Sequence, residues 1–164
     1  MMATWFNSVG FIMGNNLGWD AFFGFAGVSL SMSFANLGAA YGMAKSGAGV
    51  AGMGQRKPHL IIKSLLPVVM ASILGIYGMI VSVVILKKMD LNDYNFQKGF
   101  KHFAAGLTCG LSSLGAGYAI GIVGDVGVRG YAQQEKLFIG MVLVLIFAEA
   151  IGLYGMIVAI VTAS

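Results

Sequence analysis

The chain has 164 residues, of which 58% are hydrophobic and 10% are charged, whereas a typical globular chain carries about 25% charged residues. This composition leaves too little polar surface to cover a water-soluble domain and predicts an integral membrane protein. The net charge of +4 is modest and comes from residues between the apolar stretches, so we do not interpret it as nucleic-acid binding.

Four apolar spans bracketed by charged residues follow an N-terminal segment, residues 1–20. Each span reaches the about 20 residues that a helix needs to cross a bilayer, and helices are favoured because lipid cannot satisfy exposed backbone groups. We therefore predict an all-α membrane protein with transmembrane helices at residues 21–44, 64–86 and 103–124 and from residue 137 almost to residue 164. Pro58 suits the first turn of the second helix, and Pro67 predicts a mild kink inside it.

The two halves of the chain repeat each other under a 77-residue shift. The shift aligns Leu37-Gly38-Ala39 with Leu114-Gly115-Ala116, and it aligns residues 77–81 with residues 154–158. One ungapped offset that serves distant segments indicates duplication. We predict two helical hairpins, residues 21–86 and 103–164, joined by a loop at 87–102. Each hairpin has two spans, so the copies share one orientation, unlike the inverted repeats of many transporters.

Glycine placement divides the predicted helices into two kinds. The first and third spans carry stripes of small residues, and the second and fourth are bulkier. Glycines spaced by four residues let helix backbones approach closely in lipid, and three such pairs occur: Gly38 with Gly42, Gly106 with Gly110, and Gly117 with Gly121. Small inner helices and large outer ones give the taper that a ring requires. Ordinary packing within a single four-helix bundle explains the stripes equally well.

Glu149 is the one ionisable side chain in the last span. Counting from Leu137, it lies about 18 Å along a helix that rises 1.5 Å per residue, close to the middle of a hydrocarbon core roughly 30 Å thick. An ionisable group at that depth is costly and is functional by default. We therefore predict a proton or ion site whose carboxyl is largely protonated. The alternative is a glutamate that only forms hydrogen bonds between helices.

The oxygens available near the middle of the membrane are few. Ser72, Ser113 and Tyr77 are candidates to tune a hydrogen bond to the carboxyl, although plain packing explains each of them equally well. A sodium site needs several oxygen ligands, so the sequence favours H⁺ as the transported ion. Under the 77-residue shift Glu149 falls on Ser72, so the duplicated chain keeps one carboxyl where two are conceivable.

Other chemistry-bearing residues carry weaker signals. Cys109 is the only cysteine, so no internal disulfide can form. His59 and His102 lie at span edges without clustered ligands, so we expect no metal site and no cofactor. Asp125 and Arg129, four residues apart at a membrane edge, have the spacing of a helical ion pair, and a solvated loop pair explains them equally well.

Basic residues give a weak indication of orientation. One side of the predicted topology carries six of them, Lys45, Arg56, Lys57, Lys63, Arg129 and Lys136, and the other carries four, Lys87, Lys88, Lys98 and Lys101. The positive-inside rule then places both termini outside the cytoplasm. Lys45, Arg56 and Lys57 suit contact with a cytosolic stalk, and lipid headgroups explain them as well.

Three long motifs resemble one family. FAEAIGLYGMIV around the carboxyl, IGIVGDVGVRG at residues 120–130 and LGAAYGMAKSGAGVAGMG at residues 37–54 closely resemble the proteolipid (c) subunits of vacuolar-type proton ATPases. The likeness extends over residues 22–163. It implies a rotor ring of homologous proteolipids in the lipid bilayer, turned through a cytosolic stalk by a separate ATP-hydrolysing sector.

The same resemblance implies roles for residues and partners. Glu149 would be the proton carrier, facing an arginine supplied by a stator membrane subunit. The first and third connecting loops would be cytosolic, in a multi-pass protein of acidified endomembranes such as a vacuole or lysosome, or of the plasma membrane. The proteolipid itself would not hydrolyse ATP.

Two other classes of protein compete with this interpretation. A proton-coupled exporter of small cations also has four spans and a membrane glutamate, but the parallel repeat and the position of Glu149 in the last span disfavour it. A channel or junction-like structural protein would give Glu149 no obligatory role.

Overall fold

The computed structural model describes residues 18–89 and 94–164, so the predicted N-terminal segment lies outside the described residues except for its last three positions. The described chain is helical and contains no strand. We number its four long helices in chain order, and together they confirm the predicted all-α membrane architecture because each is long and apolar enough to cross a bilayer. They are Gly18–Gly54, Leu66–Lys88, Phe96–Gln133 and Leu137–Thr162.

The first and third helices extend well beyond the apolar spans that predicted them. The third has 38 residues, which corresponds to about 57 Å at 1.5 Å per residue. The two helices continue to pack against each other outside the hydrocarbon, with Gly49 against Asp125 at one end and Gly99 against Asp20 at the other. The predicted loop 87–102 is therefore helical at residues 87–88 and 96–102, and residues 90–93 lie outside the described part.

The entry to the second helix differs from the prediction. A 3-10 turn at Pro58–Leu60 and a single helical turn at Ile61–Ser64 precede it. The Leu65 N–H donates to the Ile61 carbonyl at 3.1 Å, and a new helix begins at Leu66. The irregularity predicted at Pro67 is present, but as an interruption at Leu65 instead of a mild bend, and Pro67 lies in the first turn of the new helix, where a missing N–H costs no helical hydrogen bond.

The first and third helices form the most extensive contact in the molecule, the second packs mainly on the first, and the fourth packs on the third. Gly106 lies against the backbone of Gly27, and Gly117 lies against the backbone of Gly38. A side chain at any of these positions would collide with backbone, which holds the two helices at glycine-to-glycine distance.

The two hairpins pack in the same way at the level of single contacts. Gly75 faces the Ala39 methyl group, and its counterpart under the 77-residue shift, Gly152, faces the Ala116 methyl group. Likewise, Gly78 faces the Ala35 side chain and the Ser31 carbonyl, and Gly155 faces their counterparts Ser112 and Thr108. The repeat in the sequence is therefore also a repeat in the packing.

Candidate functional site

Glu149 lies near the middle of the fourth helix, which begins at Leu137 and ends at Thr162. Large apolar side chains beside it, Ile146, Phe147 and Ile151, are exposed on the outer surface of the bundle. The glutamate itself is half-buried, and its two carboxyl oxygens are shielded. The carboxyl group thus turns inward from a surface suited to lipid.

Neither carboxyl oxygen of Glu149 has a hydrogen-bond partner among the described residues. A shielded carboxylate without a partner would carry a desolvation penalty of several kcal/mol, whereas the neutral acid costs far less. This arrangement therefore fits the protonated side chain.

Tyr77 of the second helix is the polar side chain beside this carboxyl. The two groups are close enough to interact electrostatically, although the carboxyl oxygens do not meet hydrogen-bond geometry. Gly152, one turn after Glu149, permits the approach, because a Cβ there would lie 3.7 Å from Tyr77 Cδ2 and 2.5 Å from Leu74 Cδ2. The site thus combines a residue from each half of the chain.

The serines predicted to tune the site lie elsewhere. Ser72 is exposed, and its hydroxyl donates to the Val69 carbonyl at 2.6 Å. Ser113 is fully buried on the third helix, where its backbone lies against Gly38, and its hydroxyl has no partner among the described residues. Of the three candidates, the structure brings only Tyr77 to the carboxyl.

The six glycines of the predicted pairs all lie along the contact between the first and third helices. Gly106 and Gly110 face Gly27 and Leu30, whereas Gly117 and Gly121 face the segment at Gly38 and Gly42. This leaves the bulkier second and fourth helices on the outside, where Glu149 lies.

A charged cluster joins the first and third helices at the end of the bundle that holds Gly54. Asp125 is buried; its Oδ1 accepts a hydrogen bond from Arg129 Nε at 2.8 Å, and its Oδ2 lies 3.5 Å from Lys45 Nζ. The predicted pair of Asp125 and Arg129 is confirmed. No sequence signal indicated that Lys45 would join them, because its contact depends on how the two helices align.

A second polar contact lies at the opposite end of the helix bundle. Tyr94 Oη and His102 Nδ1 are hydrogen-bonded at 2.6 Å, and both residues are buried. Burial, followed by the nearby Asp20 carboxylate, raises the pKa of Tyr94 to about 12, so the phenol stays protonated at physiological pH. Sequence reasoning missed this pair. Among the described residues, no group of three or more His, Cys, Asp or Glu side chains could hold a metal ion.

Comparison with known proteins places the chain in a family. A sequence model for the C subunit of ATP synthase matches it twice, at residues 26–85 and 103–162. The two matches begin and end at the same 77-residue offset, which confirms the duplication.

Curated relatives point in the same direction. The chain is 58% identical over 142 residues to a 16 kDa proteolipid c-type subunit of the V-type proton ATPase of Caenorhabditis briggsae, covering 85% of this chain and 88% of that protein. The corresponding proteolipid of Ascaris suum matches with the same figures. The proteolipid of Rattus norvegicus is 54% identical over 147 residues, covering 90% of this chain and 94% of the relative.

Proposed function

This chain belongs to the ATP synthase C-subunit family, and from its kinship with V-type proton ATPase proteolipids we propose that it is a proton-translocating rotor-ring subunit. In this proposal Glu149 carries H⁺ during ATP-driven rotation and so acidifies a compartment. The observation that carries the assignment is a shielded, unpartnered carboxyl in the middle of an apolar outer helix, turned inward from the exposed face.

The chemistry of the carboxyl determines how such a rotor moves protons. The neutral acid can face lipid at modest cost, whereas the ionised form cannot, so Glu149 releases its proton only against a polar stator surface. All ten Lys and Arg residues of this chain lie outside the middle of its apolar spans. The cation opposite the carboxylate, an arginine by family resemblance, therefore comes from a stator subunit.

In this proposal, rotation carries the protonated carboxyl of Glu149 between two aqueous half-channels. Moving one proton across 100 mV costs about 2.3 kcal/mol. A ring with fewer carboxyls moves fewer protons per turn, so more of the free energy of ATP hydrolysis is available for each proton. One carboxyl in each duplicated chain therefore suits a steep gradient.

The surroundings of Glu149 favour H⁺ over Na⁺. A sodium ion needs several oxygen ligands in a dry pocket, and Tyr77 contributes one phenol oxygen. Ser72 is directed to its own helix backbone. We accordingly propose a site that binds no metal and uses no cofactor.

We further propose an orientation and partners. The charged end of the bundle, with Lys45 and Arg129, is cytosolic, and both termini lie on the non-cytosolic side of an acidified endomembrane. A cleft of about 380 Å³ at that end is lined in part by Arg56, Lys57 and Arg129, and this surface suits an acidic face of the cytosolic stalk. The ATP-hydrolysing sector is a separate partner, and the chain itself hydrolyses no ATP.

The rival interpretations have less support. The sequence model of the ATP synthase C subunit matches each of the two hairpins. Neither a small-cation exporter nor a junction-like structural protein would account for these two matches.

Replacement of Glu149 tests the proposed function in the assembled ATPase. We expect Glu149→Gln to insert and assemble but to abolish ATP-driven acidification of sealed vesicles, because the amide keeps size and neutrality and cannot release a proton. Glu135→Gln, at an exposed turn before the fourth helix, is the matched control and should pump normally. If the Glu149→Gln variant acidified vesicles at close to the unsubstituted rate, Glu149 would not be the proton carrier.

A further inference from the structure

We propose that the buried contact between Tyr94 and His102 is a pH-sensitive latch, which is closed while the imidazole is neutral and opens when the imidazole takes up a proton. His102 is then a second protonatable group beside Glu149, one that responds to pH and carries no proton across the membrane. Its place on the acidified side rests on the proposed function, which puts this end of the bundle on the non-cytosolic side.

The hydrogen bond between the two side chains is the first observation. Tyr94 Oη and His102 Nδ1 lie 2.6 Å apart, and the ring centroids lie 5.5 Å apart. Because the phenol keeps its proton at physiological pH, it is the donor, and Nδ1 is the unprotonated acceptor. The closed contact therefore requires a neutral imidazole whose hydrogen is on the other ring nitrogen.

The pair is sealed between elements of both hairpins, with Tyr94 5% exposed and His102 4% exposed. On the first helix, a Cβ at Gly24 would collide with the Tyr94 hydroxyl. One turn further along that helix, a Cβ at Gly27 would collide with the His102 carbonyl. The Ala163 carbonyl, at the end of the fourth helix, lies close enough to the imidazole to act as a hydrogen-bond acceptor. The latch therefore joins the start of the third helix to the first and fourth helices.

The charged groups around the pair disfavour a buried imidazolium. Among the described residues, those that act on the imidazole are the Lys88 ammonium at the end of the second helix, the Lys98 ammonium on the third helix and the Ala163 carbonyl. The Asp20 carboxylate of the first helix acts on the phenol. A protonated ring in the closed contact would therefore lose its hydration beside two positive charges, which costs free energy.

Protonation also removes the acceptor of the hydrogen bond. Once Nδ1 carries a hydrogen, it cannot accept one from the Tyr94 hydroxyl, and the imidazolium is more stable in water than in the closed contact. The open state therefore binds one more proton than the closed state, so acid favours opening. The closed contact is stable above about pH 6.5, the ordinary value for imidazole, and becomes progressively weaker below it.

Hydroxyl-radical footprinting of the assembled ATPase tests the latch, because mass spectrometry then measures how readily radicals formed in water oxidise each side chain. We expect oxidation of Tyr94 to rise about tenfold from about pH 7.5 to about pH 5.5, since opening linked to protonation at about pH 6.5 increases by about that factor. Tyr131, which is 2% exposed at the opposite end of the bundle, is the internal control and should stay protected. Equal oxidation of Tyr94 at the two pH values would overturn the latch.

A matched pair of histidine variants assigns the response to one group. His102→Gln keeps an acceptor for the Tyr94 hydroxyl but cannot take up a proton, so Tyr94 should stay protected at both pH values. His59→Gln replaces an exposed histidine at the opposite end of the bundle and should leave the response unchanged. If the response of Tyr94 persisted in His102→Gln, a different group would be titrating and the proposal would be wrong.

Tyr94→Phe makes the test independent of histidine replacement. It removes one oxygen atom, so we expect the chain to fold and assemble, but the imidazole loses its hydrogen-bond donor. Oxidation of His102 at neutral pH should then exceed that in the unsubstituted protein. An unchanged oxidation of His102 would show that the hydrogen bond does not hold the contact closed.

Sealed vesicles with the ATP-hydrolysing sector outside separate this inference from the proposed function. When pH is lowered on one side only, Tyr94 should respond to the pH inside, and a response to the pH outside alone would contradict sensing of the acidified side. ATP-driven acidification is measured in the same vesicles. Normal acidification without the response of Tyr94 overturns the latch alone. Acidification that does not depend on Glu149, together with a normal response of Tyr94, overturns the proposed function and leaves the latch standing.

Discussion

Tyr77 and Glu149 lie side by side although they belong to different halves of the chain. Their neighbourhood depends on Gly152, which leaves room for the second helix to approach the fourth. The counterpart of Tyr77 in the second half is Tyr154, which is 63% exposed. The duplicated chain therefore contains two similar tyrosines with different surroundings.

This difference provides a matched pair of variants. We expect Tyr77→Phe to slow ATP-driven acidification by about 10- to 100-fold, since a hydrogen bond to a charged group contributes about 1.5–3 kcal/mol and about 1.4 kcal/mol corresponds to a tenfold change in rate. The phenol can donate to the carboxylate that forms when the proton leaves. Tyr154→Phe should pump at the unsubstituted rate. If both variants slowed acidification of sealed vesicles equally, Tyr77 would have no special role beside the Glu149 carboxylate.

Chemical modification should select Glu149 among the carboxyl groups. Hydrophobic carbodiimides partition into lipid and attack protonated carboxyls, and the neutral form suits the shielded position of Glu149. Asp125 is paired with Arg129, and Glu135 is exposed. We expect mass spectrometry to find the label on Glu149, with less labelling as pH rises and the carboxyl ionises. A label found mainly on Asp125 or Glu135 would contradict the site.

The ion cluster at Asp125 should stabilise the end of the bundle. We expect Asp125→Asn to lower the free energy of unfolding in detergent by about 1 kcal/mol, since exposed ion pairs contribute about 0.2–1 kcal/mol and both cations are more than one-third exposed. Lys45→Ala should cost less, because its contact is longer, at 3.5 Å. Thermal unfolding measures both variants, and a larger loss from Lys45→Ala would show that Asp125 is not the centre of the cluster.

A second carboxyl can be introduced at the counterpart of Glu149. Ser72 is exposed on the outer second helix, so Ser72→Glu should give a second carbodiimide-reactive site in the assembled ring. If the stator accepts it, more protons move per turn and the limiting gradient falls; if not, pumping drops. In either case position 72 is labelled. A ring that assembles with position 72 unreactive at every pH would show that this residue does not face the outer surface.

Much of the architecture was predictable because hydropathy and repetition are local properties of the sequence. The four spans, the 77-residue duplication and the position of Glu149 near the middle of its helix follow from counting residues, since lipid permits helices and has a fixed thickness. The glycine pairs also indicated close helix packing, because a missing side chain has the same consequence wherever two helices meet in lipid.

Other features depend on how the helices align, and only the tertiary structure decided them. Local sequence does not indicate that Lys45 joins Asp125, that Tyr94 bonds His102, or that Tyr77 reaches Glu149 while Ser72 does not. The extension of the first and third helices beyond the apolar spans has the same origin, because their mutual packing continues past the hydrocarbon. Such contacts depend on the relative height and rotation of whole helices, which many small packing contacts determine together and no short motif encodes.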